Sequence, residues 1–171
     1  MDKGYIHLYT GNGKGKTTAA FGLAVRAACA GKSVYIGQFV KDMEYSETRI
    51  SGCLPLIKVE QLGKGCFITE APTETDKKVA KQSLEKCAKL LKEGTYDVII
   101  LDEITIAIYY KLLDEAAVIE AVKNRAENVE VVMTGRYAPS SLIELSDLVT
   151  EMKEIKHYYT QNVLSREGID C

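Results

Sequence analysis

The run Thr10-Gly11-Asn12-Gly13-Lys14-Gly15-Lys16-Thr17-Thr18 joins a short apolar stretch to an alanine-rich one and has the chemistry of a phosphate cradle. Small residues let backbone N–H groups turn inward, a following helix offers unpaired N–H groups and a partial positive end, and Lys16 adds a full charge. The usual phosphate loop is a glycine, four residues of any kind, then Gly-Lys-Ser/Thr. Here Thr10 stands at the first glycine position and Gly11 shortens the spacing by one. A plain tight turn would need the same glycines, but Gly-Lys-Thr opening a helix favours the anion site.

The second group with chemical potential is Asp102-Glu103, which ends the apolar run 98–101. In phosphate-loop proteins the hydroxyl after the lysine coordinates magnesium, and an acid ending a buried strand completes or supports that coordination. Thr17 and the Asp102-Glu103 pair fit those roles. The same two acids also suit a helix N-cap and first turn, and the readings can coexist with Asp102 capping and Glu103 on the metal. A third strand end, Thr134-Gly135-Arg136, brings a charge that either reaches the phosphates or stays in solvent. Arg26 has the same two readings on the first helix, while His7 and His157 carry none by themselves.

The elements that must position these groups alternate. Strands are expected at 5–9, 34–40, 56–62, 97–101 and 129–134, and helices at 16–30, 74–93, 104–112, 115–126 and 140–145. The first helix is small-faced, with Ala19, Ala20, Ala24, Ala27 and Ala28, which suits tight packing on a sheet. In the second, Ala80, Leu84, Cys87, Ala88 and Leu91 share one face while lysines and glutamates take the other. Residues 63–72 read as an irregular loop, and a short helix or loop carries Tyr45, Ser46 and Arg49. Such alternation predicts a three-layer α/β fold, a mostly parallel sheet with helices on both faces. Ligands gather at the carboxyl ends of such strands, where the phosphate loop and the acidic pair both fall.

Composition narrows the function classes. With 171 residues, 46% hydrophobic and 27% charged, the chain is expected to form one domain over 1–171. A formal net charge of -2 gives no general attraction to nucleic acid or acidic membranes. Cys29, Cys53, Cys66, Cys87 and Cys171 nowhere form a Cys-x-x-Cys pair, which argues against a disulfide framework or zinc site. Reduced thiols, the absence of a charged leader with a long apolar core, and the lack of a membrane-length apolar run predict a cytoplasmic protein.

The segment 10–20, the Leu101-Asp102-Glu103 strand end, Thr134-Gly135-Arg136, the run 151–157 and Gly168-Ile169-Asp170 together resemble the phosphate-loop ATP:corrinoid adenosyltransferases of cobalamin synthesis and salvage. The likeness covers essentially the whole chain. It implies a P-loop NTPase fold of the RecA-like kind and transfer of the 5′-deoxyadenosyl group of ATP to cobalt(I) of a corrinoid, with release of triphosphate. It further implies that Asn12, Gly13, Lys14, Gly15, Lys16, Thr17 and Thr18 hold the triphosphate, with Arg26, Arg136 and His157 as further nucleotide contacts. The resemblance also implies that Lys16, Thr17 and Glu103 carry catalysis and that Thr17 and Glu103 hold Mg²⁺. The family reverses the nucleotide relative to ordinary phosphate-loop enzymes. A homodimer and a reducing flavoprotein are also implied. Relatives carry a Phe and a Trp in the loop matching 63–72; this chain has Phe67 and no tryptophan, so Phe67 either lines the corrin pocket or packs ordinarily. Asn162 stands where the family commonly has glycine. The competing functions are a conventional P-loop kinase or ATPase and an ATP-binding subunit without chemistry.

Overall fold

The computed structural model describes residues 2–40, 46–63 and 72–170. In chain order the elements are β1 (Ile6–Thr10), α1 (Lys16–Cys29), β2 (Val34–Gln38), a 3-10 turn (Ser46–Arg49) leading into α2 (Ile50–Cys53), and β3 (Ile57–Gln61). There follow α3 (Glu74–Glu93), β4 (Val98–Asp102), α4 (Ile104–Tyr109), α5 (Glu115–Lys123), β5 (Glu130–Thr134), α6 (Ser140–Leu145), β6 (Leu148–Glu151) and a 3-10 turn (Tyr158–Gln161). The strands form one six-stranded sheet in the order β3-β2-β4-β5-β1-β6. Every pairing is parallel.

The pleat divides the apolar residues between two cores. Ile99 and Leu101 of β4, Val131 and Met133 of β5, and Ile6 and Leu8 of β1 face the side covered by α3 to α6. Val98, Ile100, Val132, Val34 and Ile36 face α1, where Ala20, Ala24, Ala27 and Ala28 let the helix lie close to the strands. The alanine face of α1 therefore does what its composition predicts. The longest helix, α3, begins with a reciprocal Thr73–Asp76 capping box and ends at Gly94 in the left-handed region. Its buried line is Ala80, Ser83, Leu84, Cys87 and Leu91, and burial pushes the Cys87 thiol up to about 12.

The strands expected at 34–40 and 56–62 are trimmed to Val34–Gln38 and Ile57–Gln61, and two expected helices end short of their sequence patterns. The helix after β4 stops at Tyr109 because Lys111 turns into positive φ, so Leu112 and Leu113 fold back onto the core. The helix α5 ends at Lys123, and the Arg125 guanidinium instead donates to the carbonyls of Val122, Val129 and Gly4. One strand was absent from the sequence expectation. β6 pairs with β1 from His7↔Leu148 to Thr10↔Glu151, and all four of its residues are exposed. With no buried face it has no alternation to betray it.

Gly135 closes β5 beside the acidic strand end. Its φ is +137, and a Cβ there would stand 2.2 Å from Thr105 Oγ1. That hydroxyl is buried and donates to the Arg136 carbonyl at 2.6 Å, so it cannot swing aside. Gly135→Ala is expected to lower unfolding stability by about 2–3 kcal/mol, read as a lower urea midpoint at unchanged slope. An unaltered midpoint would mean that the turn tolerates a side chain.

Candidate functional site

The phosphate loop is shaped by the segment that follows β6. Met152 N donates to Thr10 O at 2.8 Å and Gly13 N donates to Met152 O at 2.7 Å, fixing the loop against the sheet edge. Gly11 sits at φ +96, and a Cβ there would approach Met152 O to 2.5 Å. The shortened glycine spacing thus has a cause: the backbone passes too close for any side chain. Gly15, in the left-handed region, is the N-cap of α1, supplies no capping side chain, and no acidic residue stands in the first turn. The N–H groups at that helix end point into the cavity with the positive end of the dipole.

Lys16 is buried inside this loop. Its Nζ donates to Gly11 O at 2.8 Å and Gly13 O at 2.7 Å, which bends the loop around the ammonium. Burial pushes the ammonium below the usual lysine range; Arg136 adds to that lowering, while the carboxylates of Glu103 and Asp102 oppose it. A phosphate arriving here meets a cation already desolvated and already aimed.

Behind the lysine, the fully buried Asp102 accepts from Thr17 Oγ1 at 2.9 Å and Thr134 Oγ1 at 2.7 Å through one oxygen, and from Gln38 Nε2 at 3.1 Å through the other. The residue at the N-cap position of α4 is Glu103 and not Asp102, with φ 60 and no side-chain capping bond. The Glu103 N–H is satisfied by Thr134 Oγ1 at 2.9 Å. This left-handed kink turns Glu103 out of the strand direction and into the cavity lining.

The cavity measures about 850 Å³, within the size range of small-molecule sites. Gly13, Lys14, Gly15, Lys16, Thr17 and Thr18 form its floor, Glu103 and Arg136 one wall, and His157 part of a roof. These nine expected site residues therefore meet. Asn12 is exposed at the loop tip, outside the lining. Arg26 is exposed far along α1, roughly 15 Å of helix beyond Lys16, and is likewise outside it. Phe67 lies outside the described residues.

Sequence reasoning missed much of the roof. Residues after Met152 run back over the loop as a strap, and Tyr158, Tyr159 and Asp170 line the cavity with His157. The His157 Nδ1 accepts from Tyr159 N at 3.0 Å, leaving Nε2 to carry the ring proton. The opposite wall is Ser46, Glu47 and Arg49 with Ile50 and Cys53 of α2. Gln38 was also missed, although an amide inside the apolar strand Val34–Gln38 was the available signal. The oxygen donors Thr17, Asp102 and Glu103 beside a phosphate loop suit Mg²⁺, which takes few protein ligands and completes its shell with phosphates and water.

Comparison with known proteins bears on family and fold. The family described as ATP:corrinoid adenosyltransferase BtuR/CobO/CobP matches residues 2–171. A corrinoid adenosyltransferase of Escherichia coli K12 is 32% identical over 169 residues, spanning 99% of this chain and 86% of that protein. One from a Sinorhizobium species is 33% identical over 176 residues, spanning 99% of this chain and 81% of its own length. Among solved structures, the flagellar accessory protein FlaH of Methanocaldococcus jannaschii superposes with a TM-score of 0.59 at 13% identity, covering 88% of this chain and 72% of that one, a likeness of fold alone. By sequence along its whole length, the chain belongs to the ATP:corrinoid adenosyltransferase family.

Proposed function

We propose that this chain transfers the 5′-deoxyadenosyl group of ATP to cobalt(I) of a corrinoid and releases triphosphate, the whole of 1–171 acting as one nucleotide-binding unit. The observation that carries the proposal is a glycine-lined phosphate loop, with buried Lys16, facing Glu103 and Arg136 across a cavity of about 850 Å³, in a chain of this family.

In this reaction the cobalt(I) electron pair forms the bond to ribose C5′ while the C5′–O bond breaks and its electrons leave on the triphosphate. Charge therefore grows on the leaving group, and groups that bind it better in the transition state accelerate the step. Lys16, the α1 N–H groups and Arg136 are placed for that work. Cobalt(I) carries no proton to be removed, so no side chain has to act as a general base. That suits a site whose buried acid, Asp102, is fully committed to hydrogen bonds from Thr17, Thr134 and Gln38.

Thr17 and Glu103 would hold Mg²⁺, with Asp102 orienting the Thr17 hydroxyl from behind. When bound there, the ion supplies charge neutralisation for the departing phosphates. Lys14, Gly13, Gly15 and Thr18 complete the grip on the triphosphate, and His157 contacts the nucleotide from the strap. Asn12 and Arg26 enter the reading through the family likeness alone, as do Phe67 at the corrin, a homodimer and a flavoprotein electron donor; a cytoplasmic setting enters it through the cysteine usage.

Products separate this reading from its rivals. Protein, MgATP and chemically reduced cobalamin are expected to give inorganic triphosphate and a light-sensitive alkylcobalt species. Orthophosphate without a cobalt–carbon bond would instead identify a kinase or ATPase. Tight ATP binding with no spectral change at any corrinoid concentration would identify a binding subunit.

Lys16→Ala is expected to lower kcat/KM by at least about 10²-fold, the usual cost of deleting one preorganised donor to developing negative charge. A value within a few fold of the unsubstituted enzyme would remove Lys16 from the mechanism. Glu103→Gln is expected to raise the magnesium concentration for half-maximal rate roughly tenfold or more. An unmoved titration would return Glu103 to a purely structural role.

A further inference from the structure

Lys14 is the one phosphate-loop lysine whose charge points outward to the strap. Its ammonium has three N–H donors, and the strap supplies an acceptor for each: Tyr158 Oη at 2.9 Å, Ile169 O at 2.8 Å, and the Asp170 carboxylate in a short ion pair. Asp170 is held in turn by the Tyr158 hydroxyl and by Arg166, whose backbone N–H and Nε both reach Oδ2 at 3.1 Å. The Arg166 guanidinium lies 4.8 Å from the centre of the Tyr158 ring. Only 12% of the Asp170 side chain is exposed, although most of the strap around it is open to solvent. The latch is thus a local knot of charge in a weakly packed segment.

An anion already occupies the place where the phosphate loop would offer Lys14 to a nucleotide. We infer that Asp170 is a resident competitor for the phosphate chain: its carboxylate holds Lys14 while the site is empty and gives it up when triphosphate binds, which frees the end of the strap, 166–170, while His157 stays against the nucleotide. The proposal rests on the reading of Lys14 as a phosphate contact. Two physical points carry it. A lysine with every donor engaged can accept a phosphate oxygen only by losing a strap acceptor, and the carboxylate, sharing the phosphate's sign, is the one that phosphate repels. The hydrogen bonds from Lys14 and Tyr158 hold Asp170 well below the usual carboxylate range, so protonation does not release it at ordinary pH. Displacement by a stronger anion does.

The consequence reaches the product as well as the substrate. Released triphosphate carries more charge than ATP's phosphates did when esterified and would bind a bare lysine pair tightly. A carboxylate able to retake Lys14 limits that affinity and favours turnover. Asp170 is then a residue that sets phosphate affinity by acting through Lys14, without touching the reacting atoms.

The test uses the full chain at low salt, with MgATP and inorganic tripolyphosphate as probes in calorimetry. Asp170→Asn keeps the side-chain shape and an acceptor for Lys14 while removing the competing charge. It is expected to tighten both dissociation constants by about three- to fivefold, the upper part of the range for a solvent-accessible ion pair. In a Lys14→Ala background the same change is expected to shrink below about twofold. Hydrogen exchange supplies the second readout: tripolyphosphate should speed exchange at strap amides 166–170 in the unsubstituted protein, and Asp170→Asn should do so without any anion. Unchanged or weaker binding in Asp170→Asn, an equal gain without Lys14, or strap exchange that ignores both anion and substitution would each overturn the inference. If the binding and exchange results appear as stated while no alkylcobalt product forms, the competition stands and adenosyl transfer is the reading that fails.

Discussion

A buried carboxylate holds this site together. Asp102 has no exposure, and its oxygens accept from Thr17 on α1, Thr134 on β5 and Gln38 on β2. An ionised carboxyl in an apolar sheet is costly unless its lone pairs are filled. Filling them requires two neighbouring strands and the first turn of α1 to sit in one arrangement. Strand ends, helix start and phosphate loop are thereby indexed to one another, and the buried Lys16 nearby supplies compensating charge. The apolar cores set where the layers lie; this polar centre sets where the chemistry lies.

The strand order explains why one residue can do this. β5 lies between β4 and β1, so the acidic strand end and the phosphate loop are separated by one strand, whose last residue, Thr134, is paired in register with Tyr9 of β1. On the other side its hydroxyl serves two consecutive residues, donating to Asp102 and accepting the Glu103 N–H. The left-handed kink at Glu103 follows. A residue that continued the strand would aim its side chain along the sheet face, whereas the kink places it in the cavity wall.

Much of this was legible in the residues. The alanine face of α1, the amphipathic α3 with its turn signals, and the apolar run ending in Asp102-Glu103 each follow a period or a terminus that local chemistry dictates. The phosphate loop was legible because a run of glycines and lysines opening a helix suits an anion and not an apolar core. What was hidden depended on tertiary contact. β6 buries nothing, so its four residues resemble a loop. The reason for Gly11 lies in Met152, far along the chain. The roles of Gln38, Tyr158 and Asp170 come from partners on other elements, and no spacing rule links Lys14 to a carboxylate at position 170. The strap has a mean composition like any polar turn, and only its fold onto the loop gives it meaning.

The position of β1 also bears on how the molecule is made. Its two neighbours are β5 and β6, paired from Ile6↔Val131 and from His7↔Leu148, so the strand that carries the phosphate loop is made well before either strand that pairs with it. During synthesis from the amino terminus, a central strand waits with both edges open until more than a hundred further residues have emerged. Contacts of such long range fold slowly, and an unpaired apolar strand in that interval is exposed to wrong partners. The nascent chain therefore carries its glycine-rich motif well before the sheet that shapes it exists, and β1 is the strand that waits longest for a partner.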